Sequence, residues 1–227
     1  MAALLALDCP RCGAAVPALP ADIAFVCVSC PAAFEVLNAT LVHRELAQSW
    51  VPTSDATVRV NLPVWRFELR VSVDPSGTAT DTVLAARRAQ ARVGQLGHAY
   101  VPAFSVHRPQ VFGDWGLQWT AAQPAWQVAS RVLPLVGAAL SSDDAARLAE
   151  HYVLDRLDRV CDLENISVSV TPGRPLLLAL PTAVEEARLR DPWLGDLLLP
   201  ISALDDFTGI AESATVAPGA LGATPRA

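Results

Sequence analysis

The chain has 227 residues, 52% hydrophobic and 18% charged, enough apolar material for one sizeable core and too little charge for a disordered chain. Its formal net charge is −6 and all 17 basic residues are Arg, so general attraction to phosphate is excluded as a driving force unless Arg residues cluster locally. Every stretch long enough to span a bilayer is interrupted by a charge or a Pro, and "MAALLALDCP" has no basic n-region and no room for an apolar h-region before Cys9, so a soluble cytoplasmic protein without a membrane segment is expected.

The first element is "CPRCG" at Cys9 to Gly13, which returns after a gap of 14 residues, 13 to 26, as "CVSCP" at Cys27 to Pro31. Two Cys at i and i+3 on a tight turn present both sulfurs to one ion, and Gly13 supplies the permissive backbone such a knuckle needs. Two knuckles make a closed tetrahedral thiolate site from Cys9, Cys12, Cys27 and Cys30. Between them, Ile23, Phe25 and Val26 read as a strand entering the second knuckle after a loop broken at Pro17 and Pro20. Disulfides and a rubredoxin-like iron site are the alternatives, but C-x2-C pairs without an export signal favour metal. Zinc is expected.

Residues 7 to 37 resemble a zinc ribbon, with Cys9, Cys12, Cys27 and Cys30 in the places of the family's four ligands and Pro31 where Gly is usual. The resemblance implies a structural zinc ion, because four thiolates leave no open position for substrate. Within residues 1 to 37, Asp8, Asp22 and Glu35 stand against Arg11 alone, a balance poorly suited to phosphate. The whole also resembles bacterial proteins in which an N-terminal zinc ribbon precedes a β-rich domain, a likeness that implies no activity.

The stretch 38–57, including "AQSWVPTSDAT", reads as a linker. "VRVNLPVWRFELRVSV" then alternates at Trp65, Phe67, Leu69, Val71 and Val73, the pattern of a half-buried strand. After a turn at "DPSGT", "DTVLAARRAQARVGQLG" reads as a short helix ending at Gly94 or as an irregular excursion, and its Arg87, Arg88 and Arg92 form the one basic cluster. "HAYVPAFSVH" reads as a strand whose Pro102 implies an edge or a bulge. "VFGDWGLQWT" is loop-like, and "PAWQVASRVLPLVGAAL" is ambiguous between helix and strand. Ser141 and Ser142 with Asp143 and Asp144 start a helix to about Val160, whose Ala146, Ala149, Val153, Leu157 and Val160 keep helical spacing. "NISVSVTPGRPLLLALP" reads as a hairpin turning at Pro172 and Gly173, "TAVEEARLRDP" as a short helix or loop, and "DLLLPISAL" as a last strand. Aliphatic–Pro steps at Leu62, Val101 and Leu180 raise the question of a repeated strand unit. From 208 to 227 the composition is that of a disordered tail.

No Gly-rich phosphate loop, G-x-S-x-G elbow or H-E-x-x-H helix is present. His43, His98, His107 and His151 lack ligand spacing, and the adjacent acids Asp143/Asp144, Glu185/Glu186 and Asp205/Asp206 point apart on either regular backbone. Cys161 stands alone. Trp115 and Trp193 lie in loop-like stretches of the kind interfaces use as anchors. The expected class is therefore α+β: a four-cysteine zinc ribbon over 1–37, a linker over 38–57, a β-rich domain with packed helices over 58–207, and a tail. The expected function is a non-enzymatic accessory or adaptor subunit acting through protein contacts. The alternative is a nucleic-acid-binding or transcription-associated ribbon protein using Arg87, Arg88 and Arg92.

Overall fold

The computed structural model describes residues 8–16, 18, 21–50, 59–105, 115–125, 127–128, 135, 137–159, 161–185, 188–191, 193–195 and 198–200. Among them are ten strands and three α-helices: β1 Ala24–Val26, β2 Ala33–Leu37, β3 Thr40–Trp50, β4 Arg59–Pro75, α1 Thr80–Val93, β5 His98–Pro102, α2 Trp115–Ala122, β6 Gln127–Val128, α3 Ser142–Asp158, β7 Ile166–Pro172, β8 Leu176–Glu185, β9 Arg188–Arg190 and β10 Leu198–Pro200. They form one mixed sheet along the path β1-β2-β3-β8-β4-β5, with β6, β7, β9 and β10 attached beside it. The α+β expectation holds.

The 17-residue strand β4 is the spine. Its alternate residues Trp65, Phe67, Leu69 and Val73 are buried against Ala86, Ala89 and Val93 of α1 and Ala145, Ala149, Val153 and Leu157 of α3. The small Ala side chains at helical spacing let both helices sit close on the sheet. The α3 reading is right in its start, since Ser141 accepts the Asp144 amide at 3.1 Å, and Ala145 joins the expected Ala146, Ala149, Val153 and Leu157 in the packed stripe, while Val160 lies outside the described residues. Trp65 donates its indole N–H to the Leu140 carbonyl at 2.8 Å, so the buried ring leaves no orphan donor.

Several expectations are corrected. The stretch 38–57 is not a linker where it is described: Asn38 and Ala39, at φ 48° and 60°, join β2 to β3 in a hairpin with Leu37 opposite Thr40, and β3 then runs parallel to β8 from Glu45 to Gln48. The segment's polar composition hid a strand that alternates with solvent on one face. Ile166 to Leu180 is not a hairpin either. Both β7 and β8 run antiparallel to β4, one beside Leu69 to Pro75 and the other beside Arg59 to Arg66. Between the pairs Leu69↔Pro172 and Arg66↔Leu176 the β7–β8 run has one residue more than β4, so Gly173 to Pro175 form a bulge in one long strand. "TAVEEARLRDP" continues β8 and turns into β9, with Glu185 opposite Arg188. "FGDWGLQWT" carries helix α2, and Trp115 and Trp119 are buried at 2% and 0% exposure.

Strand β5 lies at the sheet edge, as Pro102 implied. The Ala103 amide reaches the Pro63 carbonyl at 3.0 Å, so the missing N–H of Pro63 faces the side where the β5 ladder ends and leaves the β8 side intact. The aliphatic–Pro steps fall on three neighbouring strands, with Leu62 opposite Leu180 and Val64 opposite Pro102. Both β8 and β5 run antiparallel to β4, so the Leu62 step is reversed relative to the other two. Two Gln side chains finish exposed strand edges: Gln123 accepts the His98 amide at 3.0 Å and donates to the His98 carbonyl at 2.6 Å, while Gln90 does the same for the Val73 amide and the Val71 carbonyl at 2.9 and 3.4 Å. An edge so satisfied is closed to further pairing there.

Ala39 is an exposed non-Gly residue in the left-handed region at the second central position of a two-residue hairpin turn, where Asn-Gly is the favoured pair. Ala39→Gly is expected to stabilise the protein by about 1 kcal/mol by removing the Cβ penalty, read as a rise in the urea midpoint with unchanged slope. An unchanged or lower midpoint would contradict it.

Candidate metal centre

The strands β1 and β2 alternate between two cores. Ala24, Val26 and Ala33 face α3 and the main sheet, while Phe25 and Phe34 pack with Cys9, Val16, Cys27 and Ala32 in a small core of their own. The two Phe rings lie 6.3 Å apart, and His43 of β3 meets Phe34 edge-on at 5.7 Å. This apolar floor carries the cysteine cluster.

Each knuckle is closed by backbone. The Cys9 amide donates to the Ala14 carbonyl and the Gly13 amide to the Cys9 carbonyl, both at 2.8 Å, with Gly13 at φ 71°, a conformation Gly adopts without a Cβ penalty. In the second knuckle the Cys27 amide donates to the Ala32 carbonyl at 2.9 Å. Sulfurs then converge: Cys9 Sγ and Cys30 Sγ are 3.5 Å apart, Cys12 Sγ and Cys27 Sγ 3.6 Å, and all four lie within 4.8 Å of one another. A tetrahedron with metal–sulfur bonds of about 2.3 Å has edges of about 3.8 Å, so the four thiols sit close enough to bind one metal ion, and their separations are far beyond a disulfide bond of about 2.05 Å.

The electrostatics suit a cation. Burial opposes the Cys27 thiolate, but the Cys30 and Ser29 amides and the Cys12 and Cys9 thiols outweigh it and bring Cys27 down to about 6. Cys30 is pushed up to about 12 by burial and by the neighbouring Cys9 and Cys12 thiols. Thiols this close cannot all ionise alone, and a dication in their midst resolves the conflict by holding all four as thiolates.

Besides the β2–β3 ladder that carries it into the main sheet, the metal module meets the body through further contacts near the start of α3. Ala24 and Ala138 exchange backbone hydrogen bonds at 3.0 and 2.7 Å. The Asp22 carboxylate occupies the place a Cβ at Gly137 would need. Most telling is Glu35 of β2, fully buried at 0% exposure, which accepts from Arg44 Nε and from the Ser142 amide at the start of α3, both at 2.6 Å. Arg44 also donates to Ser142 Oγ at 3.1 Å. Counted in the ribbon's charge balance from the sequence, Glu35 points inward on the face opposite Phe34 and its charge is paired with Arg44.

The other candidate residues are dispersed. Cys161 follows α3, half-buried, and donates to the Leu157 carbonyl at 3.2 Å; burial, then Asp158 and Asp162, push its thiol up. His98 lies on β5 with Nε2 at 2.5 Å from Arg66 Nη2, and since Arg only donates, this imidazole is neutral with its proton on Nδ1. Burial and Arg66 hold His98 below its ordinary value. His151 lies on α3, and Arg87, Arg88 and Arg92 are all exposed on α1. Asp143 and Asp144 open α3 as expected, whereas His107, Glu186, Asp205 and Asp206 lie outside the described residues.

No local pattern singled out Asp191, a fully buried acid. It accepts from Trp119 Nε1 at 2.6 Å and from the Trp193 and Leu194 amides at 2.8 and 3.2 Å, beneath Trp193, whose ring meets Tyr100 and Trp119 at 5.1 Å each. Burial raises its carboxyl and those donors work against the rise. Asp191→Ala is expected to cost about 2–3 kcal/mol by orphaning these donors, measured by urea unfolding; a cost under about 0.5 kcal/mol would contradict the account. The raised value also sets a sign: this carboxyl's own titration favours the folded state most below 3.8 and progressively less as pH rises through its folded value.

Comparison with protein-family models, with curated proteins and with solved structures gives no match.

Proposed function

We propose that the chain is a non-enzymatic accessory protein in which Cys9, Cys12, Cys27 and Cys30 hold a structural zinc ion and the surface around that ion docks a protein partner. The observation that carries the reading is the closed set of four sulfurs within 4.8 Å. Zinc prefers such a tetrahedral thiolate shell, which leaves no position for substrate and makes binding energy into folding energy. Each ligand must lose a proton, so affinity falls as pH drops. A reducing, cytoplasmic setting goes with this reading, since there the thiols stay available to metal.

Support for a protein partner comes from the knuckle tips. Val28 is 61% exposed between two ligands, and Pro10, Arg11 and Ser29 beside it are exposed too. An apolar tip rimmed by polar groups is the anatomy of a small contact site. The test is affinity capture of the zinc-loaded chain and of Val28→Asp from source cells at low salt. A stoichiometric protein held by the native chain and lost with Val28→Asp supports the adaptor reading; equal recovery with both, or none with either, overturns it.

A second reading follows from the exposed Arg87, Arg88 and Arg92 on one helix, which would contact nucleic acid phosphate. A salt-dependent gel shift lost on replacing the three by Ala would establish it, and no shift at low salt would end it.

A further inference from the structure

We propose that the metal centre is a latch on helix α3, and that the Cys27–Cys30 knuckle is the half that opens. This rests on the structural-zinc reading. The knuckles are built alike but are unequal. In the first, the Gly13 amide closes the turn onto the Cys9 carbonyl at 2.8 Å. The matching position in the second is Pro31, which has no N–H to offer the Cys27 carbonyl, and which stands at φ 20° where its ring favours about −65°. The second knuckle therefore keeps the Cys27–Ala32 hydrogen bond at 2.9 Å but has no counterpart of the Gly13–Cys9 one, and it carries strain that the first avoids.

The weaker half is also the half wired to the body. Cys27 directly follows β1, and only Pro31 and Ala32 separate Cys30 from β2. Ile23, just before β1, and Ala24 at its start both donate to the Ala138 carbonyl, at 2.7 and 3.0 Å. On β2, Glu35 takes the Ser142 amide, one of the N-terminal helix donors that need an outside partner. Pairing of β1 with β2 spans only Ala24 to Val26 against Ala33 to Glu35, so its register depends on the turn between them. Metal bound across Cys9, Cys12, Cys27 and Cys30 fixes that turn; without it the turn opens, Glu35 leaves its seat with Arg44, and the first turn of α3 frays. The β4, β7 and β8 ladder is built without these residues and stays closed.

Hydrogen exchange read by mass spectrometry on the full chain, zinc-loaded and after chelation, tests the latch. Chelation is expected to lower protection at least tenfold over Ala32 to Leu37 and Ser142 to Ala145, while Val64 to Val73 and Leu177 to Leu180 keep theirs. Glu35→Gln in the zinc-loaded protein is expected to loosen Ser142 to Ala145 with zinc still bound. Pro31→Gly, gaining the N–H and a permissive φ, is expected to slow chelator-driven zinc release about tenfold. Retained protection at Ser142 to Ala145 after chelation, loss spread evenly over the whole sheet, or an unchanged release rate in Pro31→Gly would each overturn the latch. A chain that takes up no zinc fails the structural-zinc reading itself, seen in metal analysis before any exchange is measured, and takes the latch with it.

Discussion

Glu35→Ala is expected to cost about 3–5 kcal/mol of folding stability. The carboxylate is 0% exposed and its Arg44 partner only 16%, so truncation strands a guanidinium in a poorly hydrated site and leaves the Ser142 amide, at 2.6 Å in the native protein, without an acceptor. The contrast is Asp155, whose ion pair with Arg159 at 3.0 Å is well exposed; Asp155→Ala should change stability by less than about 0.5 kcal/mol. Urea denaturation of the zinc-loaded proteins reads both. A Glu35→Ala cost as small as that of Asp155→Ala would mean that this buried pair adds little to the strand ladder and backbone bonds that also join the metal module to the body.

Removing the metal is expected to have the other large effect. With zinc in excess of its dissociation constant by about a thousandfold, binding adds about 4 kcal/mol to stability, which for a chain of this size is about 10 °C in Tm. Chelation should remove that increment. Cys12→Ser is the cleanest genetic version, because Cys12 is exposed whereas Cys9 and Cys27 are buried in the small Phe25–Phe34 core and would lose packing as well as a ligand. Calorimetry with and without chelator checks it: native protein should fall to the Tm of Cys12→Ser, and Cys12→Ser itself should not move. Equal melting of native protein in both conditions would contradict a structural metal.

What could be read in advance divides along a physical line. Local spacing carried the cysteine set, the Ser141 cap and the alternation of β4, because each depends on residues within a few positions of one another. Pairing partners were not legible. The segments Ile166 to Val170 and Leu176 to Leu180 look like a hairpin because Pro-Gly usually turns a chain, yet both lie along β4, whose long apolar edge offers more ladder than a two-stranded ribbon could. The burial of Glu35 and Asp191 was not legible for the same reason: each carboxylate takes a donor more than 70 positions away, Ser142 for one and Trp119 for the other. Trp115 and Trp119 passed for loop residues until α2 placed them side by side, with ring centroids 5.3 Å apart.

Whether four thiolates from two knuckles hold one zinc ion is decided by metal analysis of the chain purified without added metal, followed by X-ray absorption at the zinc edge. One zinc per chain with four sulfur neighbours at about 2.3 Å is the expected result. A chain isolated without zinc that takes none up when zinc is supplied, or zinc bound with nitrogen or oxygen in its shell, would contradict it.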